Sequence, residues 1–454
     1  MTRVHLVGIG GAGMSGIARV LLARGTPVSG SDAKDSLAVA ALRALGAVVH
    51  VGHSAEHVVG ASTVVVSTAI RESNPELAAA RASGIRVLRR AEALAELLQG
   101  YRAVAVAGTH GKTTTTSMLT VAAQHCGVDP SFAIGGDLNE AASNAHHGSG
   151  DLFVLEADES DGSFLVYAPY AAIVTNVEPD HLDHHGTAEV YEQAFRDFVA
   201  TVTGFVVVCV DDPGSLALAD FARSEGIDVR TYGTSAGADL LMRALTTDGS
   251  RSTYEAVLRG TSLGQVQLRV PGVHLARNSA GALLTAVELD LPADQVIVGL
   301  GDFTGVRRRM ELKGSAGGVR VYDDYAHHPT EVRAQLVAAR GMTGGGRLVA
   351  VFQPHMYSRT ATFAEAFGAA LGLADEVVVM DVYGAREDPI PGVTGALVAA
   401  AVPHPRVLFE PSWTAVPAAV ASRVAPGDLV VTLGAGDVTQ IGPEVLRLLA
   451  GGAP

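Results

Sequence analysis

A chain of 454 residues, 48% hydrophobic and 18% charged, with mean hydropathy +0.27, is too long for one ordinary domain and too apolar for global disorder, so two or three packed domains are expected. Its formal charge of -14, from 33 Lys and Arg against 47 Asp and Glu, disfavours a broad nucleic-acid surface but leaves room for anionic small ligands held by helix N-termini and a few cations. Cys126 and Cys209 form neither a disulfide framework nor a zinc ribbon. The start of the chain lacks a signal-peptide pattern, and no apolar run reaches about 18 residues, so a cytoplasmic protein outside the membrane is expected.

Val4–Val7 reads as the first strand and Gly13–Arg24 as the helix after it. Val64–Ser67 and Ile85–Leu88 read as later strands of the same unit, and Glu92–Leu98 as a helix stopped by Gly100. A second unit opens with the strand Ala103–Ala107, a glycine loop and the helix Thr114–His125. Leu152–Glu156 and Ala172–Thr175 are apolar runs followed by acidic or amide groups, which places those groups where open α/β sheets bind ligands. Residues 227–270 read as short strands with turns, an insertion in this unit. The run Gly314 to Gly318 reads as a linker. Val319–Tyr322, Leu348–Phe352, Glu376–Met380, Val407–Phe409 and Leu429–Leu433 then read as strands separated by helices. The alternation predicts α/β domains with mainly parallel sheets over residues 1–100, 101–314 and 315–454.

Two glycine loops carry the chemistry. Gly8-Ile9-Gly10-Gly11-Ala12-Gly13 lies between a strand and a helix, with Asp32 after the next strand. Such a loop lets the backbone approach a diphosphate at a helix N-terminus. Alone it would also suit a nicotinamide or flavin oxidoreductase.

Gly108-Thr109-His110-Gly111-Lys112-Thr113-Thr114 also joins a strand to a helix. Its backbone N–H groups, the Lys112 ammonium and the Thr113 hydroxyl are the parts needed to hold the phosphates and Mg²⁺ of ATP. Val106 stands where the common phosphate loop has its first glycine. Lysine otherwise occurs only at Lys34 and Lys313, so lysine chemistry in the middle of the chain must use Lys112. Two anion-binding loops imply two phosphorylated ligands, which a simple dehydrogenase does not need.

Glu156-Ala157-Asp158-Glu159-Ser160-Asp161 and Asn176-Val177-Glu178-Pro179-Asp180-His181-Leu182-Asp183 follow two of the predicted strands. Oxygen ligands suit Mg²⁺, so Glu156 with Thr113 is a candidate for one ion and His181 for a second. Zinc lacks a compact His/Cys pattern. His184 and His185 read as a solvated turn with no assigned role.

These motifs, together with Gly30-Ser31-Asp32, Phe303-Thr304-Gly305, Arg308-Arg309, Asp323-Asp324-Tyr325-Ala326-His327-His328-Pro329, Phe352-Gln353-Pro354-His355, Tyr357-Ser358-Arg359-Thr360 and Gly434-Ala435-Gly436-Asp437, resemble the Mur ligase family over essentially the whole chain. The resemblance implies a Rossmann-like N-terminal domain for a UDP-linked substrate, a central P-loop ATPase-like domain and a C-terminal Rossmann-like domain for the amino acid. It implies ATP-dependent joining of L-alanine to the carboxylate of UDP-N-acetylmuramate through an acyl phosphate, for peptidoglycan precursors, by a monomer or homodimer.

By the same resemblance, Gly10, Gly11, Ala12, Gly13, Met14, Ser15, Asp32, Ser67, Glu159, Ser160 and Asp161 serve the UDP-substrate. Gly108, Thr109, His110, Gly111, Lys112, Thr113, Thr114, Asn278, Arg309 and Asp324 serve ATP. Thr113, Glu156 and His181 hold Mg²⁺, and Lys112, His181, His328 and Arg359 are catalytic. Other readings are a surface ion pair for Arg309, a helix cap for Asn278 and a turn for Asp324.

The chain departs from the family pattern in three places. Leu275 follows His274 where many relatives have Asn, and Met356 stands where many have Arg. No lysine between Lys112 and Lys313 can supply the carbamylated lysine of sister ligases, and Arg196 lies near that position with its role open. A non-catalytic nucleotide-sugar sensor and a ligase that recycles whole peptides are the remaining alternatives. Nothing in the sequence reads L-alanine against glycine or L-serine, a discrimination of about 1–3 kcal/mol.

Overall fold

The computed structural model describes residues 3–138, 143–385 and 387–451, and gives only the backbone of Ala12, Asp137, Leu138 and Asp183. The chain forms two compact units. The first comprises Met1–Arg243, Glu255–Gly264 and Arg277–Phe303, and the second comprises Ala244–Tyr254, Gln265–Ala276 and Thr304–Pro454. The architecture is α/β, with three sheets.

The first sheet contains β1 (Arg3–Val7), β2 (Val28–Asp32), β3 (Val48–Val51), β4 (Ala61–Val66) and β5 (Arg86–Arg89), in the order β3-β2-β1-β4-β5. All its pairings are parallel. The order reverses at β1, so the crevice at its C-terminal end lies beside the first glycine loop and the helix Ala12–Ala23. The helix Pro75–Ala82 starts where Asn74 caps the backbone N–H groups of Glu76 and Leu77, with proline in its first turn.

The second sheet has ten strands. They are β6 (Arg102–Ala107), β7 (Ser131–Leu138), β8 (Ser143–His146), β9 (Leu152–Glu156), β10 (Ala171–Val174), β11 (Phe205–Cys209), β12 (Asp228–Gly233), β13 (Leu240–Asp248), β14 (Arg251–Leu258) and β15 (Thr261–Leu268). Their order is β15-β14-β13-β12-β11-β10-β6-β9-β7-β8. Residues 227–270 form strands with turns as expected, six to nine residues long, and they extend the second sheet itself. β6, β9, β10 and β11 are almost wholly buried, as parallel strands covered on both faces must be. The helix Ala188–Ala200, capped by Thr187, buries Tyr191, Ala194, Phe195, Phe198 and Val199. That is the three-and-four spacing of an amphipathic helix. Both cysteines are free thiols.

The third sheet contains β16 (Glu311–Ala316), β17 (Val319–Asp324), β18 (Leu348–Phe352), β19 (Glu376–Val379), β20 (Val407–Phe409) and β21 (Leu429–Leu433), in the order β16-β17-β21-β18-β19-β20. Residues alternate between two apolar layers. Leu348, Ala350 and Phe352 face one, and Val349 and Val351 face the other. The glycine run expected as a linker is corrected: Gly314 to Ala316 end β16, and Gly317 and Gly318 turn the chain into antiparallel β17. Among the described residues, no helix is long and apolar enough to cross a membrane.

Candidate active site

The phosphate loop occupies the gap between β6 and the helix Lys112–His125. Val106 lies inside β6, so this loop is shorter than the common one, which accounts for the missing glycine. Gly108 has φ +131°, and a Cβ there would come 2.0 Å from Thr175 Oγ1. Gly111 has φ +82°, and a Cβ there would meet Asn278 Oδ1 at 2.8 Å. Both positions require glycine. Asn278 is buried inside the helix Val273–Glu288, so it is no helix cap, and its amide lies over the loop.

The loop is fastened to the end of β10. His110 N donates to Asn176 Oδ1 at 2.8 Å, while Asn176 Nδ2 and Thr175 Oγ1 donate to His110 O at 3.0 and 2.6 Å. Thr109 Oγ1 donates to Glu178 O at 3.0 Å. Thr114 is buried in the first turn of the helix.

Lys112 Nζ donates to Gly108 O at 2.7 Å and Thr109 O at 3.1 Å, and lies 2.8 Å from Glu159 Oε2. Burial disfavours its charge, but the carboxylates of Glu159, Asp158 and Glu156 outweigh burial and raise its pKa. Glu159 is fully buried, and that burial lifts its carboxyl to about 7 despite Lys112, with Asp158 adding to the rise. Thr113 Oγ1 donates to Glu156 at 3.0 and 3.1 Å, and Gly135 N donates to Glu156 Oε2 at 2.8 Å. Carboxylates thus outnumber cations around the start of this helix, which is the oxygen-rich, negatively charged setting that suits Mg²⁺.

His181, at φ +52°, places Nε2 3.6 Å from Asp180 Oδ2 and 3.9 Å from Glu159 Oε1. Glu159, expected beside the UDP-substrate, sits on the phosphate-loop lysine. Ser160 N is held by Asp158 Oδ1 at 3.1 Å, and Asp161 Oδ1 accepts from Ser163 N at 3.0 Å. The solvated-turn reading of His185 is corrected: it lies in the short helix Leu182–His185, its Nε2 is 2.9 Å from Glu159 O, and its ring packs edge-on against Tyr191. His184 is exposed. Arg196 is 3.9 Å from Glu192 and lies over the Phe221 ring.

At the first loop, Gly8 and Ile9 N–H donate to Ser31 O at 2.8 and 3.0 Å. Gly10 N donates to Asp32 Oδ2 at 2.9 Å, so Asp32 braces the loop. Gly11 precedes the helix that carries Gly13, Met14 and Ser15; the Ala12 side chain lies outside the described residues. Asn144 Nδ2 donates to Ser15 Oγ at 3.3 Å. Ser67 lies just past β4.

Arg90 went unnoticed in the sequence. A Cβ on Gly13 would come 2.9 Å from Arg90 Cδ and 3.0 Å from Nη1, and Arg90 Nη2 is 3.4 Å from Asp158 Oδ2. One guanidinium therefore lies against the first loop's helix and reaches the acidic run behind Lys112.

In the second unit, Asp324 is fully buried, with Oδ2 accepting from Met310 N at 2.7 Å and Oδ1 from Ala326 N at 2.8 Å. Burial pushes its carboxyl up to about 7 against the pull of Arg309 and those two N–H groups. Asp324 is thus a brace at the end of β17. Arg309 lies 3.8 Å from Glu331 Oε1 and 5.4 Å from the Tyr325 ring centre. His328 caps the helix Pro329–Met342, accepting from Thr330 N at 3.4 Å, and its ring meets Phe363 edge-on. Arg359 is buried, with Nη1 3.4 Å from His355 Nδ1 and 3.9 Å from Met356 Sδ. The residue that replaces the common arginine therefore touches Arg359.

Three family models match in chain order. "Mur ligase family, catalytic domain" matches residues 3–102, "Mur ligase middle domain" residues 106–286 and "Mur ligase, glutamate ligase domain" residues 308–436. The chain is 60% identical to a UDP-N-acetylmuramate–L-alanine ligase of Saccharopolyspora erythraea, covering 98% of this chain and 93% of that one. It is 56% identical to the protein of the same name from Acidothermus cellulolyticus, covering 98% and 95%. Among solved structures, UDP-N-acetylmuramate–alanine ligase of Thermotoga maritima superposes with TM-score 0.84 at 27% identity, covering 99% of each chain. The phosphate loop, its carboxylate-paired lysine and these matches lead to one conclusion: the chain belongs to the Mur ligase family.

Proposed function

We propose that this chain is the ligase that joins L-alanine to the carboxylate of UDP-N-acetylmuramate at the expense of ATP, in the cytoplasmic assembly of peptidoglycan precursors. The observation that carries the reading is the part-buried ammonium of Lys112 inside a loop of glycines, next to the Thr113–Glu156 pair. The identity to ligases of that name supports the choice of substrates.

A carboxylate resists attack by an amine, so it must first gain a leaving group. The muramate carboxylate oxygen attacks the γ-phosphorus of ATP, the bond to the bridging oxygen breaks and ADP leaves. The alanine nitrogen then attacks the acyl carbon and loses a proton. Phosphate departs from the tetrahedral intermediate. Lys112 exchanges its Glu159 contact for phosphate oxygens and opposes the repulsion between two anions. The loop N–H groups and Asn278 hold the nucleotide, and Arg309 is assigned to ATP by the family pattern. The first loop and Arg90 take the UDP diphosphate. Arg359 and His328 serve the amino-acid side. Thr113, Glu156 and His181 would hold Mg²⁺, which supplies charge neutralisation.

The test is phosphate release from ATP by the purified protein with UDP-N-acetylmuramate and Mg²⁺, comparing L-alanine, glycine, L-serine and the peptide Ala-Glu-diaminopimelate. Release that requires the sugar acid and is fastest with L-alanine is expected. Release with the peptide alone would make the protein a recycling ligase, and no release in any mixture would overturn the ligase reading.

A further inference from the structure

Central strands of a parallel sheet are normally apolar on both faces. One face of the first sheet breaks this rule. His5 on β1 and Ser29 and Ser31 on β2 are fully buried there, beneath the equally buried Glu76 of the helix Pro75–Ala82. Ser31 Oγ donates to Glu76 Oε2 at 2.5 Å. His53 Nδ1 lies 3.1 Å from the same oxygen and 3.0 Å from Ser31 Oγ. His57 Nδ1 is 2.6 Å and His5 Nε2 3.7 Å from Glu76 Oε1, and His5 Nδ1 bonds Ser29 Oγ at 2.9 Å. His50 of β3 stacks on His57 at 4.0 Å, and Arg3 donates to the His57 carbonyl. One carboxylate thus gathers groups from β1, β2, the segment after β3 and the turn before β4. Burial works against its charge, but these partners hold the carboxyl at about 2.

This network reaches the first glycine loop through one residue. The hydroxyl of Ser31 bonds Glu76, while its carbonyl accepts the Gly8 and Ile9 N–H groups. We propose that Glu76 is a positioning residue for the UDP-substrate: by fixing Ser31 it fixes the turn that presents the loop's remaining N–H groups to the diphosphate. The inference rests on the reading that this loop binds the UDP-substrate. A carboxylate accepts from every donor around it, whereas a carboxamide would aim an NH₂ at Ser31 or a histidine.

The test uses the full-length protein and the variants Glu76→Gln and Ser31→Ala. UDP-N-acetylmuramate binding is measured by calorimetry, and kcat and the KM for ATP by phosphate release. Both variants are expected to weaken UDP-N-acetylmuramate binding about tenfold, the size of one lost buried hydrogen bond. A residue that only stabilised the fold would lower the active fraction and leave that affinity unchanged, whereas a positioning residue lowers the affinity and leaves kcat and the KM for ATP near wild type. Folded variants with unchanged affinity, or with kcat lost and affinity kept, would overturn the proposal. If Glu76→Gln fails to fold, Ser31→Ala, which deletes one oxygen, decides. Failure of the wild type itself to bind UDP-N-acetylmuramate would overturn the substrate reading and this inference together.

Discussion

The ammonium of Lys112 lies 2.8 Å from the carboxylate of Glu159, and the same nitrogen donates to the carbonyls of Gly108 and Thr109. The loop therefore satisfies its own lysine before any phosphate arrives. A γ-phosphate must compete with a buried carboxylate, and Glu159 can yield because burial already lifts its carboxyl to about 7.

Lys112→Ala should lower phosphate release by about 10²–10³-fold, the usual cost of removing one preorganised electrostatic contact. Calorimetry should show UDP-N-acetylmuramate bound as tightly as by the wild type, because the first loop is built from other strands. Near-normal turnover would remove Lys112 from the phosphate site.

Glu159→Gln separates stability from activity. The folded-state carboxyl at about 7 stands above its ordinary value of 4.5, so the charged form is disfavoured in the fold. Such a group contributes stability that is fully present below its unfolded value and is lost as pH rises through 7. The loss is at most about 3.5 kcal/mol, since 4.5 and about 7 differ by about 2.5 and each pKa unit is worth about 1.4 kcal/mol. Glu159→Gln should therefore melt near the wild type at pH 5 and higher than it at pH 8. Scanning calorimetry at the two pH values checks this. An equal shift at both would mean that the carboxylate's charge is not what burial penalises.

Much of this fold was legible because strands such as Ala103–Ala107 and Leu348–Phe352 are buried on both faces and read as unbroken apolar runs. The phosphate loop was legible because glycine, lysine and threonine sit together in the chain. What escaped was proximity made only by folding. Arg90 meets Asp158, 68 positions away, and nothing in Arg89-Arg90-Ala91-Glu92 marks it. The histidines around Glu76 are scattered from His5 to His57 and converge only because the strand order places β2 and β1 side by side. The run Gly314 to Gly318 was misread for a different reason: a linker and a tight hairpin both select glycine, and only the pairing of β16 with β17 tells them apart.

The Thr113–Glu156 pair predicts a metal requirement that can be titrated. EDTA should stop phosphate release, and added Mg²⁺ should restore it. Thr113→Ala removes one oxygen from the proposed ligand set, so the Mg²⁺ concentration for half-maximal activity should rise about tenfold. UDP-N-acetylmuramate binding should not move. Activity that survives thorough chelation would refute the metal reading.

Arg90 gives the sharpest test of the UDP-substrate side. Its guanidinium lies against Gly13 at the start of the first loop's helix while pairing with Asp158, and only 22% of its side chain is exposed. Burial disfavours its charge, but Tyr167, Asp158 and other acidic groups raise its pKa. If it contacts the diphosphate, Arg90→Ala should raise the KM for UDP-N-acetylmuramate by about tenfold or more, as for the loss of a charge-assisted hydrogen bond. Arg90→Lys should recover only part of this, because a lysine offers a point charge in place of a two-pronged donor. Asp158→Asn breaks the same ion pair from its other end and leaves the guanidinium in place. A rise in KM with both arginine variants but not with Asp158→Asn would place Arg90 on the ligand. Equal effects from all three would make the ion pair, and through it the acidic run behind Lys112, the feature that matters.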